Sequence, residues 1–182
     1  DRLIREIAFD PKYFTYVTDA RDRGVSVRVE LGDARVRLDE VRRERPGERY
    51  DVIAVDAFSS DAIPVHLLTR EALRLYLEML KPDGILTIHI SNRYLNIEPV
   101  VASLAADAAL GGRLIQHDDS AESAGAARST WVVLARTQAA LGAHTFAVEA
   151  VDPQGNGTSS SLTFVVVVTP ESLQDAVRQF VL

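Results

Sequence analysis

Between Asp51 and Ile90 the chain reads DVIAVDAFSSDAIPVHLLTREALRLYLEMLKPDGILTIHI, and the two ends of that stretch decide the fold. Asp51 to Asp56 (DVIAVD) is apolar on consecutive positions, the pattern of a strand covered on both faces of a parallel sheet, and Ile85 to Ile90 (ILTIHI) repeats it. Between them Thr69 is placed to cap a helix whose Leu73, Tyr76, Leu77 and Leu80 fall at i, i+3, i+4 and i+7. Lys81-Pro82-Asp83-Gly84 is expected to end that helix. Strand, helix and strand in this order form a βαβ unit, which requires parallel strands. Ala57 to His66 is a loop.

The same grammar extends to both sides. Leu3, Ile4, Ile7 and Ala8 have helical spacing and predict a helix that stops before Pro11. Val25, Val27, Val29 and Leu31 alternate with polar residues, which predicts a strand ending at Gly32-Asp33-Ala34, and Val36 to Glu44 predicts a charged helix closed by Pro46-Gly47. Pro99 to Leu110 reads as helix, Arg113 to His117 and Thr130 to Ala135 (TWVVLA) as strands. Beyond Arg136 the pattern changes to two strand-like runs, Thr145 to Val151 and Ser161 to Val168, joined by turn residues and followed by a helix that opens at Thr169-Pro170. The fold class expected is α/β with an appended β-hairpin and carboxy-terminal helix. The domains expected are 1–141 and 142–182, with a junction where the composition changes, at Thr137 to Gly142. That tail is expected to dock loosely on the first domain or to form a dimer.

The chain has 182 residues, 47% hydrophobic and 25% charged, an ordinary globular composition that excludes collagen, coiled coil and wholesale disorder. A net charge of -6 repels polyanions, so nucleic acid is not an expected partner and a cationic small molecule is. Without cysteine there is no disulfide framework, thiolate nucleophile or thiolate zinc site. The longest strongly apolar run, Phe164 to Val168, is far short of the roughly 20 residues of a membrane span. A start at Asp1, with no Met and no leader, reads as that of an excised piece.

In open α/β sheets ligands bind outside the carboxyl ends of the parallel strands, so the polar residues that terminate strands are the candidates. These are Gly32-Asp33-Ala34, Asp56 to Asp61, Ser91-Asn92-Arg93-Tyr94 and His117-Asp118-Asp119. Asp56 and Asp61 flank a short loop and together make an anionic pocket suited to a protonated amine, which must lose a proton before it can attack. The alternative is that Asp56 caps the following turn and Asp61 is solvated.

The run from Tyr50 to Val101, with VELGDARVRL (Val29 to Leu38) before it, resembles the spermidine synthase-like branch of the polyamine aminopropyltransferases. The similarity extends from Asp1 to about Leu141. It implies the Rossmann-like, mostly parallel sheet of the class I S-adenosylmethionine-dependent methyltransferase fold. The reaction it implies is transfer of an aminopropyl group from decarboxylated S-adenosylmethionine to an amine, without a metal. By the same resemblance Asp33 hydrogen-bonds the adenine amino group, Ala34 supplies a backbone contact, Asp56 is the catalytic base and Asp61 holds the amine. Ser59 and Ser60 either donate to the substrate or satisfy the turn. Asp56 and Asp61 are separated by four residues, whereas the family's motif is a tighter D-S-S-D-P, which leaves the amine open. The family's glycine-rich loop and ribose-holding acidic residue would lie upstream of Asp1, so the sheet is expected to be incomplete, nucleoside binding weak and transfer impaired. Two rivals stand beside this reading: a small-molecule methyltransferase using S-adenosylmethionine, and a non-catalytic interaction module acting through its tail. That tail, Gly142 to Val168, resembles the last two strands of bacterial immunoglobulin-like repeats. The α/β domain is expected in the cytoplasm, with membrane association through a longer parent protein as the alternative.

The other chemistry-bearing residues have structural readings. His66 is expected to be a loop histidine and His89 a hydrogen-bonded core histidine. Tyr13, Phe14, Tyr16 and Trp131 are expected to pack. His117-Asp118-Asp119 has metal-ligand residue types but cannot converge from one strand end.

Overall fold

The computed structural model describes residues 2–56, 63–92, 95–117 and 129–143. The expected hairpin, the last helix and the immunoglobulin-like comparison fall outside the described residues, as do Ser59, Ser60, Asp61, Asp118 and Asp119. The DVIAVD stretch forms β1 (Tyr50–Val55) and the ILTIHI stretch lies in β2 (Leu80–His89), with α4 (Arg70–Met79) between them. β1 and β2 pair in parallel, Val52 opposite Ile85 and Val55 opposite Ile88, as a βαβ unit demands. Thr69 caps α4 by accepting a hydrogen bond from the Ala72 amide at 3.2 Å.

After α5 (Glu98–Asp107) come β3 (Gly111–His117) and β4 (Ser129–Ala135), giving a sheet in the order β1-β2-β4-β3. β4 is antiparallel to both β2 and β3. Hence β1, β2 and β3 run the same way and β4 alone is reversed, which is the open, mostly parallel α/β sheet expected. Residues 85 to 88 of β2 are all buried because its two faces are both covered. Leu86, Ile88, Val132 and Leu134 join the main core with Leu38, Met79 and Val101 of the helices, whereas Ile85, Val133 and Ala135 pack on Ala140 and Leu141 of α6 (Gln138–Ala143). The expected junction at Thr137 to Gly142 thus includes most of a helix seated on the sheet.

Two expectations need correction. Val25 to Leu31 is not a strand: Val27, Val29 and Leu31 are half-buried in alternation, but no strand among the described residues pairs with it, and alternation without a pairing edge makes no ladder. Lys81-Pro82-Asp83-Gly84 does not follow a helix reaching Leu80. α4 ends at Met79, and the four residues form an irregularity within β2, where the register shifts between the Tyr50–Leu80 and Val52–Ile85 pairs. Glycine suits that position, since a Cβ would lie 3.0 Å from the Tyr50 carbonyl oxygen, a tight contact. Lys81 spans the irregularity, its Nζ 2.8 Å from both carboxylate oxygens of Asp51. Arg136 donates to the carbonyls of Lys81 and Leu77, tying β4 to the same corner.

The amino end adds an element that the sequence pattern did not announce. α1 (Arg2–Phe9) stops before Pro11 as expected, but a second helix, α2 (Tyr16–Asp22), follows it. Its seven residues bury only Val17, too few for a period to show in sequence. Phe14 and Tyr16 pack ring to ring at 5.7 Å, and Arg5 and Arg21 lie over the Phe9 ring. Among the described residues no helix is long and apolar enough to cross a membrane.

Candidate functional site

Asp33 ends the extended segment and caps α3 (Ala34–Glu44), its Oδ1 accepting from the Val36 amide at 3.0 Å. Gly32 before it has φ +142°, a backbone conformation that favours glycine and delivers the chain into the cap. The other oxygen, Oδ2, lies 2.7 Å from His66 Nε2. His66 sits in a single 3-10 turn, Val65–Leu67, that joins β1 to α4. Tyr76 of α4 holds this turn by donating to the Leu67 carbonyl at 3.1 Å, and burial pushes its hydroxyl pKa far up. Arg35 completes the contact, donating to the His66 carbonyl at 3.0 Å and reaching Thr69 Oγ1 at 3.4 Å. Because the turn lies between the end of β1 and the start of α4, these bonds put Asp33 and Ala34 on the carboxyl side of the sheet. His66, read from sequence as a bystander, is a direct partner of Asp33.

Desolvation pushes the Asp33 carboxyl up, but the Val36 amide, the His66 hydrogen bond and charge, and the Arg35 amide together hold it below its ordinary value. A lowered folded-state pKa contributes stability above the unfolded value and loses it as pH falls through about 4 and below. Asp33→Ala should therefore cost about 1 kcal/mol at neutral pH through loss of the cap. Asp33→Asn, which keeps a capping oxygen, should cost less. Denaturant midpoints measured from pH 7 down to pH 3 should show the wild-type advantage over Asp33→Asn shrinking toward acid, and a constant difference would mean that the folded-state carboxyl is not held below its ordinary value.

Asp56 follows the last residue of β1, and the register that sets Val55 opposite Ile88 sets Asp56 beside His89. His89 Nδ1 lies 2.9 Å from Asp56 Oδ1, and its Nε2 lies 2.7 Å from Ser91 Oγ. Ser91 Oγ accepts from the Thr130 amide of β4 at 2.8 Å. The imidazole stacks on Trp131, its partner across the β2–β4 ladder, with centroids 4.5 Å apart and planes within 7°. The Asp56 and His89 side chains are 33% and 19% exposed, open enough for a ligand to approach. His89 is hydrogen-bonded, as its strand position suggested, but the groups it joins are a candidate catalytic carboxylate and a strand-terminal hydroxyl. Sequence reading missed that link. The available signal was that Asp56 and His89 both close parallel strands adjacent in the βαβ unit.

No group of three or more His, Cys, Asp or Glu side chains among the described residues is arranged to hold a metal ion. A cleft of about 590 Å³ lined by Arg42, Pro46, Leu77, Pro82 and Arg136 lies at the opposite, amino-terminal edge of the parallel strands. It is remote from this chemistry.

No protein-family model matches the chain. Over 61 residues, 34% of its length, it is 43% identical to a polyamine aminopropyltransferase of Vibrio vulnificus (strain CMCP6). The match covers 20% of that protein, so the chain spans about a fifth of the length of this curated relative. Among solved structures it is similar to human methyltransferase-like protein 13 in complex with SAH, at 13% identity and a TM-score of 0.48, over 94% of this chain and 66% of that one. It is also similar to MNMC2 from Aquifex aeolicus, at 24% identity and a TM-score of 0.40, over 62% of this chain and 31% of that one.

Proposed function

We propose that the chain carries part of the site of a Rossmann-like transferase that moves an aminopropyl group from decarboxylated S-adenosylmethionine to a small amine. The observation that carries this reading is a partly exposed carboxylate, Asp56, at the carboxyl end of a parallel strand, in a chain with a stretch 43% identical to a polyamine aminopropyltransferase. The adenine end of such a nucleoside fits the residues present. Its amino group needs an acceptor, and the Asp33 carboxylate, with about four lone-pair sites, has capacity beyond what Val36, His66 and the Arg35 amide engage. The first amides of α3, beginning with Ala34, have no intrahelical acceptor and suit a ring nitrogen. When bound, the nucleoside supplies a sulfonium whose adjacent carbon accepts a nucleophile.

Asp56 then attracts the ammonium and orients it, Asp61 supplies a second negative charge, and Ser59 and Ser60 offer hydroxyls to the amine. The ammonium must lose a proton to expose its lone pair. Its nitrogen forms the new C–N bond as the C–S bond breaks to a neutral thioether, and the charge moves to the product amine.

Ligand-induced shifts in the NMR spectrum of the labelled chain test this reading at the weak affinities expected. Decarboxylated S-adenosylmethionine should move the amides of Asp33 to Val36, and a diamine added afterwards should move Asp56 and His89. A diamine without effect, together with S-adenosylmethionine moving the same amides more than its decarboxylated form, would replace the reading with that of a methyltransferase. If neither nucleoside moved those amides, the nucleotide site itself would be refuted.

A further inference from the structure

Two ends of the hydrogen-bonded chain at the sheet edge have fixed polarity. A backbone amide such as that of Thr130 only donates, and a carboxylate such as that of Asp56 only accepts. Every bond between them is thereby directed when His89 is neutral. Thr130 donates to Ser91 Oγ at 2.8 Å, Ser91 donates its own proton to His89 Nε2 at 2.7 Å, and His89 Nδ1–H donates to Asp56 Oδ1 at 2.9 Å. In this order Asp56 orients the ring, Nε2 carries the available lone pair, and the Ser91 hydroxyl stands in front of it. These are the roles of orienter, base and hydroxyl in a serine–histidine–aspartate relay.

We propose that the proton lost by the attacking amine is taken by His89 Nε2 through the Ser91 hydroxyl, with Asp56 remaining a carboxylate throughout. This rests on the amine-transfer reading above and changes which atom receives the proton. The step balances: the ammonium gives one proton to Ser91 Oγ while Ser91 passes its own to Nε2. The products are a neutral amine, an unchanged hydroxyl and an imidazolium paired with Asp56. Thr130 and Trp131 serve as the frame, one fixing Oγ and the other holding the ring plane by stacking. The reacting nitrogen accordingly sits beside Ser91 Oγ.

The first measurement is the tautomer of His89, read from multiple-bond proton–nitrogen NMR of the labelled chain, with His89→Gln to assign the ring. The proton should be on Nδ1 in the wild type and in Ser91→Ala, and should move to Nε2 in Asp56→Ala, where the acceptor is gone. A wild-type ring protonated on Nε2 would overturn the proposed polarity whatever reaction the chain performs. The second measurement is amine turnover. His89→Gln can still donate to Asp56 but cannot accept a proton, and should lower kcat by about 10²-fold or more with KM little changed. His89→Phe, which keeps a ring on Trp131, should fall equally. If His89→Gln turned over like the wild type, the proton would belong to Asp56 itself and the relay would be refuted while the transferase reading stood. A wild type that showed the Nδ1–H tautomer while no diamine moved the Asp56 and His89 resonances would refute the transferase reading, and the relay's role in amine deprotonation with it, leaving only the hydrogen-bond polarity.

Discussion

Leu86→Ala is expected to destabilise the α/β domain by about 2–5 kcal/mol, read as a fall in the denaturant midpoint at unchanged slope. Leu86 is fully buried in β2, which pairs with β1 on one side and β4 on the other. Its side chain belongs to the core shared by helices α3, α4 and α5, so a cavity there is bounded by several elements that cannot all collapse into it. Against a total stability of roughly 5–15 kcal/mol for a domain, that loss is enough to leave a marginal fold partly unfolded at ambient temperature. Leu114→Ala on β3, where the side chain is exposed, should change the midpoint by less than about 0.5 kcal/mol. Equal effects from the two would mean that the core does not sit where the sheet order places it.

In a form of the protein that turns the amine over, Asp56→Asn is expected to lower turnover by roughly 10²–10⁴-fold while leaving nucleoside affinity nearly unchanged. The amide neither attracts an ammonium as a carboxylate does nor holds His89 in one tautomer, since its NH₂ group can donate to a ring nitrogen that then becomes the acceptor. The loss falls on kcat because proton removal is needed only as the amine attacks. Asp33→Ala should show the reverse pattern, weakened nucleoside binding with turnover at saturation largely kept. Full turnover in Asp56→Asn would make Asp56 a structural residue and remove the basis of the transferase reading.

Much of this arrangement is legible in the order of residues. DVIAVD and ILTIHI are apolar on consecutive positions, and that local property needs a sheet covered on both faces; the helix between them brings the strands parallel. Thr69 sits directly before helical periodicity, where a side-chain oxygen satisfies amides that no helix can satisfy for itself, and it does so. The parallel direction also places Asp56 at a strand's carboxyl end, where a ligand site is expected.

Tertiary structure decided what depends on partners far along the chain. Val25 to Leu31 has the alternation of a strand, yet pairing needs a second edge, and none among the described residues meets it. Lys81-Pro82-Asp83-Gly84 has the composition of a helix stop, and became an irregularity in β2, where Gly84 comes close to the β1 carbonyls. His66 meets Asp33 across 33 positions of sequence, and His89 meets Asp56 across another 33. Those contacts follow from the β1–β2 register and from where the turn before α4 comes to rest. Residue spacing along one segment fixes which face a side chain occupies, but only the packing of segments against each other fixes which polar atoms end within hydrogen-bond distance.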